Sequence, residues 1–186
     1  MNYEQALLRQ IDIYIDEILP AYHMTTVEGM KMAKKFRLFK KIDFMKYVHA
    51  FEEYKEKALK LESMELRIPE DQVELKLLEK DFRRCLLSFV ILCDANMVFY
   101  DFNERKQYKD GGFVMKEYTQ AVSEMQNALK DAVLDSDALE RTYKNYLEKH
   151  PIDKEKAIEA VKAAVEAAKA EAAAEAEAAE EETDTE

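Results

Sequence analysis

The first apolar positions of the chain recur at helical spacing: Leu7, Ile11, Tyr14, Ile15 and Ile18 share one face. Asn2 followed by Gln5 has the spacing of a capping pair, and Pro20 is a stop signal, so a first helix is predicted over residues 3–19. A second start, Thr25-Thr26-Val27-Glu28 with Thr25 as cap, opens a run that reaches Leu66 with no breaker but Gly29. That run does not keep one face. Phe44, Tyr47, Phe51, Tyr54 and Ala58 cluster together, Met32, Phe36 and Phe39 point elsewhere, and Leu38, Ile42 and Met45 elsewhere again. A break near Lys41–Asp43 produces such a switch, as does a helix held between two partners; the break is the preferred reading.

Ile68-Pro69-Glu70-Asp71 reads as a turn into a new helix that reaches about Gln107. Its first half carries the stripe Leu78, Phe82, Cys85 and Phe89. Around Cys85 to Cys93 it is apolar on all sides, the pattern of a helix wrapped by its neighbours at the centre of a bundle. Asp110-Gly111-Gly112 is a loop signal. Beyond it Val114, Tyr118, Ala121, Val122, Met125, Leu129, Ala132 and Val133 fall on one face. Asp135-Ser136-Asp137 offers caps for a further short helix, with Leu139, Tyr143, Tyr146 and Leu147 on its apolar side and His150-Pro151 at its end. The expected fold is all-α: an antiparallel bundle of five or six helices over residues 1–150. Residues 151–186 form a second region, an acidic Ala/Glu-rich helical extension. Ile158, Val161 and Val165 are its last large apolar residues, so it is expected to pack at its beginning and to end in a disordered tail.

Composition agrees with helices. Three Gly and three Pro in 186 residues are too few for the turns of a β-sandwich or barrel. The net charge of −11 is concentrated: residues 151–186 hold four Lys against twelve acids, leaving the bundle nearly balanced. Cys85 and Cys93, eight residues apart, would lie about 12 Å apart along one helix, too far for a disulfide. Two buried thiols are expected. The first residues carry neither a basic region nor an apolar leader core, and the apolar run Cys85–Tyr100 is short and interrupted by Ser88, Asp94 and Asn96. A cytoplasmic protein without a transmembrane segment is therefore expected.

The most distinctive chemistry is basic. Lys31, Lys34, Lys35, Arg37, Lys40 and Lys41 occur without an intervening acid, interleaved with Met30, Met32, Phe36, Leu38 and Phe39. Such a helix suits phosphate backbones, an anionic membrane surface or a helix-clasping partner, although a solvated face is the preferred reading. His49 with Glu52, Glu53 and Glu56 has ligand types at helical spacing, but no Glu-x-x-His pair accompanies it, and no metal site is expected. Asp94 in the apolar helix is a candidate acid or base if buried, or else caps a local break or pairs with an Arg or Lys from another helix, and Asn96 is a candidate register-fixing polar residue. No phosphate-cradling glycine loop, nucleophile elbow, C-x-x-C or H-E-x-x-H motif is present. The expectation is a non-enzymatic interaction protein without cofactor: an adaptor, scaffold or assembly subunit that meets a protein partner through helix faces. The alternative is a nucleic-acid-binding accessory factor that uses residues 31–46, with the acidic tail as an intramolecular competitor.

Overall fold

The structure, a computed structural model, describes residues 2–34, 41–108 and 113–151. The chain divides into two units, Met1–Tyr146 and Leu147–Glu186, and of the second only residues 147–151 are described. The acidic extension, its expected tail and the Gly111-Gly112 loop lie outside the described residues.

Among the described residues the chain is helical without strands, and it forms four helices rather than five or six. Helix α1 covers residues 3–34 as Tyr3–Ile13, a π-helical turn Tyr14–Ile18, and Leu19–Lys34. Helix α2 is Met45–Glu62, α3 is Val73–Tyr108 and α4 is Met115–Lys149. Contacts between the helices give an up-down-up-down order. Residues 25 and 28 of α1 meet 54 and 46 of α2, residues 55 and 62 of α2 meet 94 and 83 of α3, and residues 81 and 99 of α3 meet 142 and 118 of α4, so each pair is antiparallel.

Two predicted helix boundaries are absent, each for a physical reason. Pro20 does not end α1. Its ring removes an N–H and crowds the carbonyl four residues back. The π-turn just before it widens the ladder, with the Leu19 N–H donating to the Tyr14 carbonyl, and so accommodates the proline without a break. Thr25 therefore lies inside a helix, and its hydroxyl bonds Tyr54 Oη at 2.9 Å instead of capping. Asp135-Ser136-Asp137 does not start a new helix either. Asp135 pairs with Arg84 at 2.8 Å and Ser136 Oγ lies 3.5 Å from Cys85 Sγ, so the side chains that would have capped are engaged by α3.

The π-turn also redirects α1. One extra residue in a turn delays the helix by about 100°. Before it, α1 faces α3 and α4: Tyr146 donates to Glu4 and Tyr143 to Asp12, both at 2.7 Å, and Tyr14 packs edge-on against Phe82 and Phe89. After it, α1 turns toward α2 and α3: Glu28 takes Lys46 and Tyr47, and Gly29 lies under Tyr100. An apolar stripe that looks continuous in sequence thus serves two different neighbours.

The core is rich in rings. Tyr22, Phe51 and Phe89 meet edge to face, and Phe51 stacks on Tyr100 at 5.5 Å. The expected break between α1 and α2 is present, residues 41–44 being non-helical. Arg83 secures the connection from α2 to α3 by donating to the carbonyls of Glu62 and Met64. Cys85 and Cys93 are free and buried, as expected.

Candidate interaction surfaces

The described part of the basic segment lies where α1 ends, α2 begins and α3 ends. Lys31 and Lys34 occupy the last turn of α1. Lys35, Arg37 and Lys40 lie outside the described residues. Lys41 stands over the Tyr108 ring, 3.6 Å from its centre, in a cation–π contact. Residues 41–44 are fastened to α3 by side chains. Gln107 accepts from the Ile42 N–H at 2.6 Å and donates to the Ile42 carbonyl at 2.8 Å, and Glu104 accepts from the Phe44 N–H at 3.0 Å. Phe44 is buried beneath this clasp, and Asp43 caps the start of α2 by accepting from the Lys46 N–H.

Lys46, at the end of the proposed 31–46 interface, is already engaged. It donates to Glu28 at 2.7 Å, and Tyr47 Oη donates to the same carboxylate. These bonds hold Glu28 below the usual carboxylate range and raise Lys46. Sequence reasoning missed Lys106, which belongs to this end and stands 4.7 Å from the centre of the Tyr118 ring. Its only sequence signal was a basic α3 C-terminus, which the helix dipole alone explains.

The acid–base candidate is corrected by its position. Asp94 is 47% exposed on the flank of α3 and pairs with Lys55 at 2.7 Å, so it is not a buried carboxylate. Of Asp94 and Asn96, the buried one is Asn96, which donates to Tyr22 Oη at 3.1 Å and to the Leu92 carbonyl. His49 is exposed and reaches Glu52, at 3.6 Å. Among the described residues no three His, Cys, Asp or Glu side chains gather as metal ligands. Burial raises both thiols, Cys93 to about 12, so neither resembles an activated nucleophile.

Two of the apolar surfaces open among the described residues bear on function. One is a groove of about 310 Å³ between α1 and α4, with Tyr22 and Leu92 at its floor and Leu19, Leu129 and Val133 along its sides. The other overturns an expectation. The apolar stretch of α3 is not wrapped on all sides: Leu87, Ile91 and Val98 are 49%, 60% and 45% exposed. They lie on one face at steps of four and seven residues. Asp94, tied to α2, and Arg84, tied to α4, mark its two edges. Among the described residues α3 is also the one helix long and apolar enough to cross a membrane, and half of its most apolar window is buried in the bundle.

No family model matches the chain, and neither a curated protein nor a solved structure matches it.

Proposed function

We propose that this protein is a non-enzymatic helical interaction protein, an adaptor, scaffold or assembly subunit that meets a protein partner through the open face of α3. The observation that carries this reading is the exposure of Leu87, Ile91 and Val98 in the helix that otherwise forms the centre of the core. Three large aliphatic side chains aligned on one face are a contact surface, whereas scattered exposed apolar residues are ordinary. The free thiols suit a reducing, cytoplasmic setting. The test compares affinity capture from native extract by the wild type and by Ile91→Lys. The expected result is a partner retained by the first and lost by the second, with both proteins equally folded. Identical captures remove α3 as the contact face.

The basic end supports a second reading, a nucleic-acid-binding accessory factor. Lys31, Lys34, Lys41 and Lys106 approach one end of the bundle, although aromatic rings take up two of them. Retention on heparin that falls steeply with salt, and that is lost on replacing Lys31, Lys34 and Lys41 by Ala, favours this reading. In it, removing the acidic tail tightens binding at low salt, with a gain that shrinks as salt rises.

A further inference from the structure

We propose that α4 is a detachable helix: it leaves the bundle as a unit while α1, α2 and α3 stay packed, and its departure uncovers an apolar strip that is closed at rest. The packing is divided accordingly. Among the described residues the largest fully buried side chains, with Tyr14, Tyr47, Phe51, Phe82, Phe89 and Tyr100 at their head, all stand on α1, α2 or α3. Three of the six buried positions along α4 are alanines, Ala121, Ala128 and Ala132. A methyl group buries little apolar area, so the seam under the middle of α4 is thin. Beside Ala132 that seam already stands open, as the groove with Tyr22 and Leu92 at its floor.

Polar ties fasten the rest of α4. Thr142 donates to Asp81 at 2.7 Å, and Asp135, Tyr143 and Tyr146 hold Arg84, Asp12 and Glu4, so these ties gather over residues 135–146. The Tyr143 bond is exposed and Arg84 is half in solvent, so water replaces such ties at small cost. Few buried apolar contacts and solvent-exposed bonds are the profile of a segment that opens below the global unfolding free energy. By contrast α1, α2 and α3 share one set of rings, in which Phe51 meets Tyr22 and Tyr100, and Tyr22 meets Phe89. The strip that opens comprises Leu19 and Tyr22 of α1 and Cys85, Leu92 and Phe99 of α3.

The two cysteines of the chain report on different seams. Eight residues turn a helix by about 80° beyond two full turns. Cys85 Sγ lies 3.5 Å from Ser136 Oγ of α4, whereas Cys93 is within electrostatic reach of Tyr22 of α1 and Lys55 of α2. In the test the full chain meets a thiol reagent at fixed pH, over a urea series below the unfolding transition, and peptide mass identifies the labelled cysteine. Cys85 is expected to label about tenfold faster than Cys93 without urea, and with a weaker urea dependence, because departure of α4 exposes less surface than global unfolding. Replacing two ties more than a turn beyond Ser136, Thr142→Val with Tyr143→Phe, is expected to speed Cys85 about tenfold again and to leave Cys93 unchanged. Tyr143→Phe alone serves if the double variant fails to fold. If Cys85 labels no faster than Cys93, or neither labels below the transition, α4 leaves only when the whole bundle unfolds and the proposal is overturned. Fast Cys85 labelling that the substitutions do not change overturns it too, since the reagent then enters by local breathing around the thiol. Equal acceleration of both cysteines in the variant overturns it as well, because α4 then braces the whole bundle.

Discussion

Gly29 and Tyr100 constrain each other at the residue scale. A Cβ on residue 29 would lie 2.2 Å from Tyr100 Oη, and the Tyr100 ring is fixed by Phe44, Tyr47, Phe51 and Phe99. Alanine ordinarily improves a helix interior by about 0.5–1 kcal/mol over glycine. Here overpacking wins, and Gly29→Ala is expected to lower stability by about 1–3 kcal/mol in denaturant melts. The same hydroxyl is buried with no hydrogen-bond partner among the described residues, so Tyr100→Phe should leave stability unchanged or raise it by about 1 kcal/mol. A second residue-scale prediction concerns alkaline pH. Burial raises Cys93 from 9.0 and Tyr22 from 10.0, each to about 12. Between about pH 9 and 12 the unfolded chain loses protons that the folded chain keeps, so stability falls as pH rises. The melting temperature should drop over that window, and Cys93→Ala should flatten the drop. A pH-independent melt would show that these groups are hydrated.

At the scale of elements, the clasp on residues 41–44 is made by few bonds. Gln107 satisfies both backbone groups of Ile42 from a helix 65 residues away in sequence. Gln107→Leu leaves them without these partners. Amide exchange at Ile42 should accelerate about tenfold, the kinetic equivalent of about 1.4 kcal/mol, while the centre of α3 is unaffected. Uniform acceleration along α3 would instead mean that the clasp supports the whole bundle. The element scale is also where sequence reading succeeded and failed most clearly. The extent of α3 and the break before α2 were legible because Pro69 and a change of apolar face report on local backbone. The continuity of α1 and α4 was not. Pro20 and Asp135-Ser136-Asp137 are local stop and start signals, and tertiary partners overrode them: a π-turn at Tyr14–Ile18, and Arg84 and Cys85 reaching from α3.

For the whole molecule, the sequence indicated an all-helical antiparallel bundle with α3 at its centre, but not which side of α3 stays open. Leu87 and Ile91 carry the same side-chain chemistry as the buried Leu86 and Leu92. Only the number of neighbours available distinguishes them, and in a bundle of four helices the central one has three neighbours, fewer than in a bundle of five or six. The basic segment was legible as charge, while its tethering through Tyr108 and Gln107 was not, since those contacts cross more than sixty residues. The acidic extension yields a whole-molecule prediction from sequence alone. Beyond Val165 it has no large apolar side chain whose burial could offset the entropy of ordering it. Truncation after Val165 should leave the melting temperature within a few degrees. A large fall would show that the extension braces the bundle.

The π-turn of α1 makes the protein sensitive to chain length in a way that its composition conceals. A π-turn is an α-helix carrying one residue too many, so Tyr14–Ile18 works as a stored insertion. Removing one residue there would let the helix close into uniform α geometry, at which point everything beyond it would rotate by about 100°. Gly29 would leave Tyr100, Thr25 would leave Tyr54, and Glu28 would leave Lys46, although none of these residues had been altered. A conservative substitution at Asp16 and the deletion of Asp16 should therefore differ sharply. The first should be almost silent, and the second should separate α1 from α2 while its contacts with α4 at Asp12 and Glu4 survive.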